Sequence, residues 1–166
     1  GRALFDAQPA AARTGSGHLG FPLAQVSIPV LGEEREVLEL WRIGDDVRAG
    51  AHGRVRYTCT PYVLFGSMSL HEDDVPLAAG DPRKHSRLYE ATQQAYRDVI
   101  ATLAAVGHTH LLRIWNYIPD INVETHGLER YRQFNSARQA ALVTSGRAVA
   151  GNVPAASALG AASGSF

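Results

Sequence analysis

The chain has 166 residues, 45% of them hydrophobic and 19% charged, enough for one domain that buries about two-thirds of its unfolded surface. Sixteen basic residues balance sixteen acidic ones, which argues against a nucleic-acid binder that works by neutralising phosphates. A lone cysteine, Cys59, excludes an internal disulfide framework and a cysteine-based zinc site, and it fits a reducing, cytoplasmic setting.

Gly1 opens the chain where a start methionine would stand, so a processed product or a fragment is expected. Residues 1–20, rich in Ala, Gly, Ser and Thr, read as an arm or loop. Phe21 to Val30 holds β-branched residues broken by Pro22 and Pro29. It is far shorter than the ~20 apolar residues of a membrane span and suits an edge strand. Glu36 to Ile43 alternates with apolar side chains on both faces, as in a strand covered on two sides. Gly44-Asp45-Asp46 is a turn signal. Arg54 to Leu70 reads as two strands, or one bent strand kinked at Pro61.

A long helix follows. Asp81 is placed as its N-cap with Pro82 at the first helical position, and Leu88, Ala91, Ala95, Val99 and Leu103 recur at helical spacing up to a terminating Gly107. Leu111 to Tyr117 reads as a strand stopped by Pro119-Asp120. A second helix is predicted over Leu128 to Leu142, closed by Gly146, with His126 at its start as a surface or capping residue. Strands are predicted through Ala148 to Ala150 and again after Pro154. This order makes an α+β fold, a mixed β-sheet with two helices packed on one face. Residues 1–35 form an N-terminal arm and edge strand, and 36–166 form the domain.

Several residues could carry chemistry. His108 and His110 stand two apart at a strand entrance, but no nearby acid or cysteine completes a metal site, so none is assigned. Cys59 lies among strand residues, where a small buried thiol is the simpler reading. Arg54, Arg56 and Tyr57 read as a strand face rather than a nucleic-acid surface. The dense region is Arg113 to Arg138. Arg113, Trp115 and Tyr117 share one strand face, and Tyr131, Asn135 and Arg138 share one helix side. Arg, Tyr and Asn around a mouth would suit a carboxylate held by guanidinium. A buried network that docks helix on sheet would use the same residues, and spacing alone leaves both open.

The stretch HLLRIWNYIPDINVETHGLERYRQFNSAR (110–138), followed by VPAASALGAASG (153–164), closely resembles the chorismatases. The helix ATQQAYRDVIATLAAVG (91–107) and the Tyr57 to Gly66 segment are similar too, so the resemblance covers roughly residues 40–164. More remotely, the element order resembles the YjgF/RidA superfamily, with its chorismate-mutase-like fold. The resemblance implies hydrolysis of the enolpyruvyl ether of chorismate to a hydroxybenzoate or a dihydroxycyclohexadiene carboxylate plus pyruvate, with no cofactor and no metal. By motif position it implies Tyr57, Tyr117 and Tyr131 as substrate hydroxyl donors. Arg138 is the carboxylate clamp with Arg113 second, and Ala156 to Gly160, Ala158 and Gly160 above all, form a pocket wall. The family's catalytic glutamate is placed beyond Phe166, and neither Glu124 nor Glu129 occupies its position. Impaired turnover follows for the chain alone. The expected partner is chorismate, with no nucleic acid and no membrane, and with homo-oligomerisation or pairing with a missing C-terminal segment open. The alternative is a YjgF/RidA-like imine deaminase or small-ligand-binding trimer. A truncated shell that serves only as an interaction module is a third reading.

Overall fold

The structure, a computed structural model, describes residues 4–5, 22–28, 39–40, 46–81, 85–147, 154–164 and 166. Strands β1 (Leu4–Phe5) and β2 (Glu39–Leu40) pair antiparallel. Strands β3 (Arg48–His52), β4 (Val55–Cys59) and β5 (Leu64–Ser67) form an antiparallel meander. A 3-10 turn at Glu72–Asp74 leads to helix α1 (Arg87–Val106) and strand β6 (Arg113–Pro119). A short hairpin, β7 (Glu124–Thr125) and β8 (Leu128–Glu129), runs straight into helix α2 (Arg130–Thr144), after which β9 (Ala155–Ala161) lies parallel to β6. The α+β class holds. Among the described residues the strands make separate ladders rather than the single mixed sheet expected, and no helix is long and apolar enough to cross a membrane.

The unit that positions everything else is β6–α2–β9. Parallel strands cannot be joined by a tight turn and need a crossover, which α2 supplies. Along β6, Ile114, Asn116 and Ile118 turn toward the helices, while Arg113, Trp115 and Tyr117 turn away. The register pairs Asn116 with Ala158 and Ile118 with Gly160, so those β9 residues share the helix-facing side. Both helices pack there. Leu88 and Tyr96 of α1, Ile118 of β6 and Phe134, Ala141 and Leu142 of α2 form one core. Phe134, 0% exposed, meets the rings of Tyr96 and Phe166 edge-on with centroids 6.4 and 6.0 Å away.

Several boundaries differ from the sequence reading. Helix α1 is capped by Ser86, whose side chain accepts from the Tyr89 N–H at 3.2 Å, five residues later than the expected Asp81; the Asp81 carbonyl instead accepts from the His85 N–H at 3.0 Å. Its end is as expected, with Gly107 at φ 86°. Strand β3 was not foreseen, because Arg-Ala-Gly-Ala-His carries no β-branched residue. A Cβ on its Gly50 would sit 2.6 Å from the Tyr57 hydroxyl across the ladder, so any other residue there would make the Tyr57 ring shift. The Arg54–Leu70 segment is two strands, with the chain reversing at Thr60 to Val63. Residues 22–28 form no strand, although the Leu23 carbonyl accepts from Ser67 and the Ser27 carbonyl from the Ala162 N–H. Leu128 belongs to β8, and α2 starts two residues later than predicted. Phe21, Pro29 and Val30, most of Glu36 to Ile43, Gly44-Asp45, Pro82, Ala148 to Ala150, and the 1–20 arm apart from β1 lie outside the described residues.

His126 does not cap α2. With φ 56°, beside Gly127 at φ 72°, it forms the two-residue tip of the β7–β8 hairpin, and positive φ at both positions marks a type I′ turn. Glu129 gives α2 no side-chain cap. The carbonyls of Val123 and Ile121 instead accept from the Arg130 and Tyr131 N–H groups at 3.0 and 2.9 Å, so the incoming loop satisfies donors that a cap would serve.

Because Phe134 joins α1, α2 and the chain's last ring, Phe134→Ala is expected to cost about 3–5 kcal/mol. Urea denaturation measures this, and a loss below about 1 kcal/mol would mean that the three elements do not share one core.

Candidate active site

Beneath the parallel strands lies a polar seam inside an otherwise apolar core. Asn116, 5% exposed, gives its Nδ2 to the Ser157 carbonyl at 2.8 Å and takes the Tyr96 hydroxyl on its Oδ1 at 3.2 Å. One amide thus joins β6, β9 and α1. Buried polar groups are tolerated when paired in this way. Burial pushes the Tyr96 phenol up to about 12, against the opposing pull of the Arg138 guanidinium and of the Asn116 hydrogen bond. Tyr96 therefore stays protonated at neutral pH and serves as a donor.

Arg138 borders this seam. It lies on the flank of the α2 stripe formed by Phe134, Ala137, Ala141 and Leu142, is half-buried, and has no carboxylate within ion-pair distance among the described residues. A partly desolvated guanidinium without a counter-ion is costly and favours an arriving anion.

The other predicted residues are distributed as the strand alternation dictates. Ala158 packs against the helix core. Gly160 shares that side, and a Cβ on it would meet the Ile121 side chain at 3.0 Å. Tyr57 is half-buried on the β4 face that also carries Val55 and lies over Gly50. Arg113 and Tyr117 are on the opposite face of β6. There the Arg113 guanidinium sits 5.2 Å from the centroid of the Trp115 ring, which in turn contacts Phe65 of β5 at 6.4 Å. Tyr131, 42% exposed, lies on the outer flank of α2. The structure thus brings Arg138, Ala158 and Gly160 to one side of the strand pair and sets Arg113 and Tyr117 on the other.

A second polar feature escaped the sequence reading. Glu72, in the 3-10 turn, pairs with both terminal nitrogens of Arg130 at the start of α2, and the Arg130 Nε donates to the Pro119 carbonyl at 3.1 Å. With side chains 19% and 13% exposed, this fork–fork pair holds the 71–75 loop against the end of β6. A separation of 58 residues left no local signal for it. Gln133 was equally unmarked. Its Nε2 donates to the carbonyls of Thr125 and Leu128 and to the Thr125 hydroxyl, which fixes the hairpin onto α2. Its position beside Phe134 in the buried stripe was the available clue. Among the described residues no group of three or more His, Cys, Asp or Glu comes together as a metal site would require.

Together these features define a two-layer α+β protein, built on a parallel β–α–β unit, with a hydrogen-bonded seam between strands and helices. A family model described as "Chorismatase FkbO/Hyg5-like, N-terminal" matches residues 39–166. The chain belongs to the chorismatase family, in the part which that N-terminal model covers. A chorismatase of Streptomyces rapamycinicus is 29% identical over 155 residues, which is 90% of this chain and 42% of that protein. A 3-hydroxybenzoate synthase of Streptomyces hygroscopicus is 34% identical over 74 residues, 44% of this chain and 22% of that one. A crystal structure of a chorismatase superposes with a TM-score of 0.56 at 30% identity, covering 72% of this chain and 32% of its own. The chain spans less than half the length of these relatives.

The raised Tyr96 value has a consequence for stability. The folded state holds the phenolic proton more tightly than the unfolded chain, whose value is near 10.0. The contribution is complete below pH 10 and declines as the pH rises toward 12. Urea denaturation between pH 9 and 11 is expected to show this decline in the wild type and a shallower one in Tyr96→Phe. Identical slopes would contradict the burial of Tyr96.

Proposed function

We propose that the protein acts on chorismate and releases pyruvate from its enolpyruvyl ether. The observation that carries this reading is the chorismatase family match along residues 39–166. The names of the relatives, chorismatase and 3-hydroxybenzoate synthase, support the same chemistry. Protonation of the methylene carbon of the enol ether would create an oxocarbenium-like centre. Addition of water there gives a hemiketal, and its collapse breaks the bond between that carbon and the ether oxygen, which yields pyruvate and leaves the oxygen on a dihydroxycyclohexadiene carboxylate. Attack by the ring hydroxyl instead gives a hydroxybenzoate and pyruvate with no net uptake of water. Such a reaction needs a proton donor, cationic anchors for two carboxylates and a site closed to bulk water.

Arg138 is the residue we assign to a substrate carboxylate, because it is half-buried and lacks a counter-ion among the described residues. Ala158 and Gly160 lie on the same side of the strand pair and would form its wall. A strand layer separates Arg113 and Tyr117 from them, so one ring cannot meet both sets at once. These two, with the exposed Tyr131, fit contacts on the outer face, and Tyr57 fits a hydroxyl donor on the meander. The element order and the parallel β6–β9 pair also support a YjgF/RidA-like fold for residues 36–166.

A lactate-dehydrogenase-coupled assay for pyruvate tests the reaction on a protein of the relatives' full length. Release of one pyruvate per chorismate is expected, and no pyruvate would refute the reading. In the 166-residue chain, Arg138→Ala is expected to weaken binding of a cyclic dicarboxylate by about 1.5–3 kcal/mol, the scale of a lost charged hydrogen bond. Unchanged affinity in calorimetry would leave Arg138 with a structural role only.

A further inference from the structure

The outer strand of the meander, β5, leaves one of its edges open. In the hairpin that joins it to β4, the Thr60 N–H donates to the Val63 carbonyl at 2.8 Å, and the ladder then pairs Thr58 with Phe65 and Arg56 with Ser67. Bonded pairs alternate along an antiparallel ladder, so Phe65 and Ser67 turn their backbone groups to β4. Leu64, Gly66 and Met68 turn theirs the other way, where they have no backbone partner among the described residues. Residues 22–28 come near only through the Ser67 hydroxyl and the Ala162 N–H, which are not groups of that edge.

Phe166 supplies an independent observation. Its N–H donates to the Leu70 carbonyl at 2.9 Å, and its carbonyl accepts from the Leu70 N–H at 2.8 Å. Two residues that exchange both bonds form an antiparallel pair. Leu70 has the same parity as Met68, Gly66 and Leu64, so this pair falls on the open edge. The Phe166 ring is anchored by the core, since it meets Phe134 at 6.0 Å and packs against both the Phe134 and the Leu70 clusters. A chain that continues from Phe166 in extended form runs back along β5, past Met68, then Gly66, then Leu64.

We propose that the open edge of β5 is a docking edge for one further antiparallel strand, which continues the pairing that Phe166 begins. Its source is the polypeptide that follows Phe166 in a protein of the relatives' length, of which this chain spans 42% in one case and 32% in another. An edge strand templates such an addition because its N–H and C=O groups gain partners. The rings of Phe65 and Trp115 meet at 6.4 Å although β5 and β6 share no ladder. Strands on either side of a common neighbour stand at about twice the ~4.8 Å strand spacing, a span that two facing aromatic side chains bridge. The added strand therefore lies between β5 and β6 and joins their ladders into one mixed sheet. No part of the reaction proposed above is needed for this.

Amide hydrogen exchange, read residue by residue by NMR, tests it in the 166-residue chain and in a protein of the relatives' full length. In the 166-residue chain the Gly66 and Met68 amides are expected to exchange at least about 100-fold faster than those of Phe65 and Ser67, at every protein concentration. In the longer protein they are expected to slow into the range of Phe65 and Ser67. Fast exchange of Gly66 and Met68 in the longer protein would overturn the proposal. Slow exchange in the 166-residue chain would overturn it too. Seen only at high concentration, it would assign the edge to a second copy, and seen at every concentration, to a segment within the 166 residues.

Discussion

The side-chain amide of Asn116 is the interaction on which the arrangement turns. A polar group in the middle of a buried strand face is tolerated only where both its donor and its acceptor sides find partners, and here they come from different elements. Its Nδ2 reaches the neighbouring strand and its Oδ1 reaches the first helix. The apolar contacts of Ile118, Phe134 and Leu88 would accept many relative placements of helices and strands. The amide selects one, because any slip leaves a buried donor or acceptor unmet.

That placement divides the polar residues of the dense region into two populations. Strand alternation sends Asn116 inward and its neighbours Trp115 and Tyr117 outward, so the residues from Arg113 to Arg138 serve two surfaces. On the inner side, Tyr96 is protonated, Asn116 is paired through both its donor and its acceptor, and Arg138 has no carboxylate partner among the described residues. On the outer side, Arg113 rests on an aromatic ring and stays wet. Of the two readings that spacing left open, the docking network is seen on the inner side, where Asn116 and Tyr96 join helix and strands, and Arg138 beside it has no carboxylate within ion-pair distance among the described residues.

Much of the fold was legible because it follows from local pattern. The α1 stripe with its glycine stop, the alternation along β6 and the strand after Pro154 all express short-range periodicity. Errors arose where the signal was not local or not hydrophobic. Strand β3 is held by pairing with β4 and by room for the Tyr57 ring, not by its own composition. Ser86 prevailed over Asp81 as the cap because the helix begins only where the Leu88 and Ala91 contacts begin. His126 occupies a turn position that favours Asn or Gly, so the hairpin was hidden inside what looked like the approach to a helix. The bond from Tyr96 to a residue 20 positions away could not be inferred from either neighbourhood. The concentration of polar residues marked the dense region from Arg113 to Arg138, and the family resemblance could not divide it between two faces.

The most direct test of this division is the NMR signal of the arginine side-chain Nε–Hε groups. It would be followed as a cyclic dicarboxylate analogue of chorismate is added to the 166-residue chain. The account predicts that the Arg138 resonance shifts and slows its exchange with water while the Arg113 resonance stays in place. A shift of Arg113 with Arg138 silent would put the anion on the outer face and contradict it.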